Sequence, residues 1–335
     1  MKALTSKMLM SAIAIIASIF VFSQATARAQ YMSQLEEKTL AVSDFSAIHV
    51  SGDFEVTLSQ GPCGAKVTAD KVLFPYVQAY VRAKVLYISF DSKAVPKDIR
   101  KLYKRGRNAV KPVFRAIVYL PELSGITLVD NASVMAGDRF DGHQVEISLG
   151  DKSQIKNLDV HAGSITVSAK KNAQAAFTLD AVNQVDLRAD NNANIKASVK
   201  AHDLLVNASA QTEVAVTGEA ENSTLTTQGS TKVTAAVKGV KAVVQMGGSS
   251  DINLSGEGEQ LSIRGERSAN LEAGAYTAKT VDAGMSGSSK ANVTVEEQLD
   301  ATLVGGSALY YTGAPVFKIG KVIKSTLAPY GATSK

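Results

Sequence analysis

From about Val129 to Leu309 the chain alternates apolar and polar residues in short runs separated by small polar turns. Val185-Asp186-Leu187-Arg188-Ala189 and Val214-Ala215-Val216 are representative. A period of two sends successive side chains to opposite faces of an extended strand, so these runs predict strands with one buried face. The turns use Gly, Ser, Asn and Asp, which tolerate left-handed backbone or bond their own main chain. The positions just after each turn are Ile155, Ala175, Ile195, Val214, Val233, Ile252, Leu271, Ala291 and Leu309, at intervals of 20, 20, 19, 19, 19, 19, 20 and 18. A fixed period near 20 marks a solenoid. No unit holds a ten-residue amphipathic helix, which excludes leucine-rich, ankyrin and tetratricopeptide arrays. The nonapeptide calcium repeat is also absent; Gly247-Gly248-Ser249-Ser250-Asp251 resembles it, at the wrong period.

Two strands per coil give an all-β fold, a parallel β-helix or β-solenoid of about 19–20 residues per coil with an N-terminal β cap. An antiparallel sandwich of hairpins is the alternative, and the constant period favours the solenoid. Nine coils at about 4.8 Å each make a rod roughly 40 Å long. Small turn residues (Ser153, Ala173, Ala193, Ser230, Ser268) are expected where coils approach closely.

The segment before the repeats differs. Phe45 to Leu58 reads as two strands around Ser51-Gly52-Asp53, Lys66 to Ala69 and Val85 to Phe90 as two more, and Pro96 to Arg107 as a short helical or irregular excursion. The open strand edges of a solenoid need caps. The expected organisation is residues 30–128 as first coils plus cap, 129–320 as the repetitive solenoid and 321–335 as a tail, with Leu309 to Pro315 closing the C-terminal end.

Residues 1–29 read as an export signal: Lys2 and Lys7, then an apolar stretch Leu9–Phe22, then Ala27-Arg28-Ala29 before Gln30. About 14 apolar residues fall short of the roughly 20 that span a bilayer. No cysteine follows the apolar stretch to carry a lipid, and no later segment is long enough to be transmembrane. The expected location is the periplasm, the outer surface or the medium.

Charge adds one feature. The chain from Gln30 onward holds 33 basic and 31 acidic residues, a balance that does not point to nucleic acid. Between Lys93 and Arg115, however, nine basic residues stand against Asp98 alone. Lys97, Arg100, Lys101, Lys104, Arg105, Arg107 and Lys111, with Tyr103 and Phe114 interleaved, are the candidate site for an anionic ligand, an envelope glycan or an anionic lipid surface. An ordinary solvated loop is the competing reading.

Catalytic candidates are weaker. Asp180, Asp186 and Asp190 could share one outer face, as the acids of polysaccharide lyases and glycosidases do. Yet the coils lack long insertions, and Phe177 and Tyr276 are the aromatics between Gly150 and Ala308. His49, His143, His161 and His202 are scattered, and Cys63 is the single cysteine. No cofactor, metal site or catalytic set is expected.

The phrases FSAIHVSGDFEVTLSQG, VYLPELSGITL and GGSALYYTGAPV resemble the bacterial autotransporter-adhesin head family, the GIN domain, over about Leu40 to Lys324. Many coil glycines of that pattern are replaced here, as in Asn192-Ala193 and Ala210-Gln211. The resemblance implies export, a β-helical fold and an adhesion role, and it supplies no catalytic residues. The expected function is therefore a non-enzymatic envelope or surface protein, an adhesin-like binding or scaffold module; the alternative is a polysaccharide-active β-helix enzyme.

Overall fold

A computed structural model describes residues 34–103 and 111–331. The expected export signal, and Lys104, Arg105 and Arg107 of the basic segment, lie outside the described residues. The chain is nearly all strand and winds into a β-solenoid of about 11 turns. It opens with β1 (Leu35–Leu40), β2 (Ala47–Ser51), β3 (Glu55–Gln60), β4 (Gly64–Asp70), β5 (Val77–Arg82) and β6 (Val85–Phe90). A short helix α1 (Lys97–Leu102) follows, then β7 (Phe114–Leu120) and β8 (Gly125–Val129). The coils are β9 (Ser133–Leu149), β10 (Gln154–Lys170), β11 (Gln174–Asp190), β12 (Asn194–Ala210), β13 (Glu213–Gly229), β14 (Lys232–Lys238) with β15 (Lys241–Met246), β16 (Asp251–Gly265), β17 (Asn270–Met285) and β18 (Lys290–Val304). The chain finishes with β19 (Ala308–Thr312), β20 (Val316–Ile323) and β21 (Thr326–Pro329).

Every interval read from the repeat is a register pair. Ile155 stacks on Ala175, Ala175 on Ile195, Ile195 on Val214, Val214 on Val233, Val233 on Ile252, Ile252 on Leu271, Leu271 on Ala291 and Ala291 on Leu309. All these pairings are parallel, so like side chains meet once per coil. The leading half of each coil forms one wall and the trailing half the other. Inward residues of both walls make one continuous apolar core from Phe45 to Leu309. Roughly 1.5–3 kcal/mol per fully buried Val, Leu, Ile or Phe makes this the main favourable contribution to folding.

Turns and corners fix the coil length. Asp151, Asn172, Asn192, Ala210 and Gly229 take positive φ at successive turns. Just past them runs a buried column of small residues: Ser153, Ala173, Ala193, Thr212, Thr231, Ser250 and Ala269. Ser230 and Ser268, expected in this column, are exposed one position too early; Thr231 and Ala269, two residues before Val233 and Leu271, hold the buried places. At the corner between walls Gly218 has φ +140°, and a Cβ there would collide with the Val199 carbonyl of the previous coil.

The N-terminal coils are out of chain order. β2 lies between β6 and β8, and β3 between β7 and β9, all parallel. The first coil in sequence is thus not the first in space. The outermost layer is antiparallel: β4 on β7, β1 on β4, and β5 on β6. Val95, just before α1, is buried, and Ile99 and Tyr103 pack against the core.

The C-terminal end departs from expectation. Leu309 to Pro315 do not close it, because β21 stacks on β19 and β20 on β18. Every residue of β20 is exposed.

Candidate binding surfaces

The trailing wall presents the most regular surface. One outward column runs Gln144, Ser164, Gln184, Asp203, Asn222, Lys241, Gln260, Thr280 and Gln298, one residue per coil. The column arises because strand alternation turns the residue before each buried Val, Leu or Ile outward. Beside it run Thr224, Val243, Ser262, Asp282 and Asp300. Between the columns lies a shallow open depression of about 510 Å³, lined by Lys241, Gln260, Ser262, Thr280, Asp282 and Gln298. A second, of about 310 Å³, lies higher on the same wall against Arg188, Asp190, Asn207, Ser209 and Thr226. This array escaped the sequence reading, although its members recur at the same near-20 spacing as the core positions.

The three acids considered for catalysis do not form a pair. Asp180 sits at the corner, accepts a 2.8 Å bond from Arg139 Nη2 and lies 3.4 Å from His161 Nδ1. Partial desolvation works against its charged form, but Arg139, His161 and Lys200 outweigh it and hold its carboxyl below the usual range. Asp186 is on the trailing wall, almost buried, with one oxygen 2.6 Å from Arg188 Nη2. That pairing raises the Arg188 guanidinium further. Asp190 accepts from Ser209 and Asn191 at the coil turn. Each acid is thus engaged by its own neighbours, Asp186 through Oδ2 alone, its buried Oδ1 having no hydrogen-bond partner among the described residues.

The corner also carries opposite charges in register: Asp180, Lys200, Glu219, Lys238 and Glu257 succeed one another along the axis. Lys238 and Glu257 meet at 3.0 Å. His202 lies 3.0 Å from Glu221, and the Cys63 thiol donates to the Phe45 carbonyl at 3.2 Å. Among the described residues no three His, Cys, Asp or Glu side chains gather to hold a metal ion. None of the described helices is long and apolar enough to cross a membrane.

Of the basic candidates, Lys97, Arg100 and Lys101 are exposed on α1, and Lys111 is exposed on the strand side of the excursion. They lie at the N-terminal end, away from the trailing-wall depressions.

These features define a β-solenoid with a polar, gently dimpled wall. The family described as "Putative auto-transporter adhesin, head GIN domain" matches residues 44–219 and again 206–315, and the chain belongs to it. It is an adhesin-like surface protein family. Solved structures similar to the chain include one described as a putative lipid binding protein from Parabacteroides distasonis, 18% identical, covering 89% of this chain and 97% of that one with a TM-score of 0.32. A putative adhesin from Parabacteroides merdae is 17% identical over 89% of this chain and 96% of its own, TM-score 0.35. A putative adhesin from Bacteroides fragilis is 15% identical over 89% and 97%, TM-score 0.30. No curated protein matches the chain.

Proposed function

We propose that the protein is an exported, non-enzymatic envelope or surface module that binds an extended, hydroxyl-rich glycan along the trailing wall. The observation that carries this reading is the column from Gln144 to Gln298, which repeats a polar, hydrogen-bonding side chain once per coil. One such contact in water is weak, but contacts repeated along a rigid rod act together on a polymer. The acids Asp180, Asp186 and Asp282 are engaged by Arg139, Arg188 and Arg264, which favours binding over acid–base chemistry. A glycan array with the purified protein tests it. Binding is expected to fall at least about tenfold in Asn222→Ala, Gln260→Ala, Thr280→Ala combined, with melting unchanged. Undiminished binding would remove the wall from the account, and sugar release abolished by Asp186→Asn would replace it with an enzyme. Export is checked by the first residue of protein recovered from the envelope, expected at or near Gln30.

A second reading concerns the exposed cations Lys97, Arg100, Lys101 and Lys111. Each contact to an anionic surface contributes about 1 kcal/mol, so several acting together attract anionic vesicles at low salt. Lys97→Glu, Arg100→Glu and Lys101→Glu combined is expected to abolish that preference; equal binding by the variant makes the segment a solvated loop.

A further inference from the structure

We infer that the C-terminal end of the solenoid is a self-association surface, at which β20 of one chain pairs antiparallel with β20 of a second copy.

Among the described residues nothing stacks beyond the last core row here. Phe317 stacks on Leu299, Ile319 on Ala301 and Val322 on Leu303. Leu299 and Leu303 are 0% exposed, whereas Phe317, Ile319 and Val322 are 43%, 48% and 39% exposed. Among the described residues β20 pairs only with β18, so its outer edge offers unpaired N–H and C=O groups. The other wall ends differently: β21 is four residues long and finishes at Pro329, which has no N–H to donate. The longer free edge is therefore that of β20.

The sequence of β20 fits a copy of itself. Laid antiparallel about its centre, Val316 faces Ile323, Phe317 faces Val322, Lys318 faces Lys321 and Ile319 faces Gly320. In that register core-side Phe317 meets core-side Val322, and outward Val316 meets outward Ile323. A strand paired this way obeys two-fold symmetry, the commonest symmetry of oligomers. The opposite end of the solenoid is no match, because the core-side positions of its outer strand β1 include Glu36 and Lys38, registered on Ala69 and Val67. An eight-residue strand is about 26 Å long and the walls are about 10 Å apart, so the end face is small, below the size of stable interfaces, and the pairing is weak. The association is accordingly concentration-dependent.

The lysines give it a distinctive signature. Residues 316–331 contain no acid, and Lys318 reaches Asp300 at 3.8 Å. Pairing places Lys318 opposite Lys321 twice on the solvent side, where like charges repel and salt screens them.

Sedimentation velocity of the protein recovered from producing cells tests the inference. The expected result is a monomer–dimer equilibrium that tightens roughly three- to tenfold from low to high salt. Ile319→Asp is expected to abolish the dimer while leaving the melting temperature of dilute, monomeric protein nearly unchanged. Lys321→Glu turns both repulsive pairs attractive and is expected to tighten the dimer about tenfold at low salt. Glu36→Lys at the other end is expected to change nothing. A monomer at every salt concentration overturns the inference, as does a dimer that survives Ile319→Asp or is weakened by Lys321→Glu. A monomer whose C-terminal end instead holds it to anionic vesicles assigns that end to a lipid surface and overturns it equally.

Discussion

The two ends of the solenoid handle the same problem in opposite ways. At the N-terminal end, antiparallel β1, β4 and β5 cover the last parallel coil, and β1 points Glu36 and Lys38 along the core side. Inward charges on an edge strand discourage further pairing. At the C-terminal end the inward row remains Phe317, Ile319 and Val322. Coil stacking alone therefore does not finish a solenoid; a change in strand direction or in the inward residues does. One end is closed by both, and the other is open to a partner.

The sharpest way to break this comparison is to place the same charge at core-facing positions at two heights, one on each wall. Val214→Asp in mid-solenoid is expected to cost about 3 kcal/mol or more, because it leaves an unpaired carboxylate in an apolar interior. Phe317→Asp at the open end is expected to cost under about 1 kcal/mol in dilute protein. Thermal or urea unfolding checks both, and equal losses would mean the C-terminal row is covered. At the closed end Phe114, packed 5.2 Å from Phe54 and 4.5 Å from Phe90, is core. Phe114→Ala is expected to cost about 3–5 kcal/mol by the same assay, and a loss below that of Phe317→Ala would reverse the assignment of the ends.

Smaller effects sharpen the picture. Gly218→Ala is expected to cost on the order of 2 kcal/mol, from its left-handed φ and the collision with Val199. Near-neutral melting of that variant would show that the corner relaxes. At the closed end, burial raises the Asp70 carboxyl above its ordinary 3.8, partly offset by the Val113 N–H at 3.1 Å and by Tyr103. Its own burial, and then the neighbouring Asp70 charge, push the Tyr103 phenol up to about 12. A raised carboxyl favours the folded state when protonated, so stability drops as pH climbs from the ordinary value through the folded one. Asp70→Asn keeps an acceptor oxygen and escapes this drop. It is expected to match the wild type near pH 3 and exceed it by under about 1 kcal/mol near pH 7. A gain confined to acid would invert the sign and refute the burial argument.

The coils were legible because parallel stacking repeats one local pattern. The row from Ile155 to Leu309 could be read off by spacing, since each coil must return its inward residue to the same place. The N-terminal coils were not legible in the same way: β2 and β3 slide between segments that follow them in sequence, and no period survives such an insertion. The buried small-residue column passes through Thr231 and Ala269 rather than Ser230 and Ser268, because each turn offers adjacent small residues and only the constant two-residue offset from the next inward position selects among them. The outward column at Gln184, Asn222 and Gln260 was written at the same interval, but its residue types vary, and polar variety on a strand's wet face looks like ordinary surface. The open end was hidden for another reason: Phe317, Ile319 and Val322 look like any other inward row until none of the described residues is found stacked beyond them.

Amide hydrogen exchange measured strand by strand tests the contrast between the ends most directly. In dilute protein, β7, which lies beneath β4 at the closed end, is expected to exchange as slowly as the mid-solenoid strands, while β20 exchanges much faster. Raising the protein concentration is expected to slow β20 and leave β7 unchanged. Equal protection of β7 and β20 in dilute protein would contradict the account.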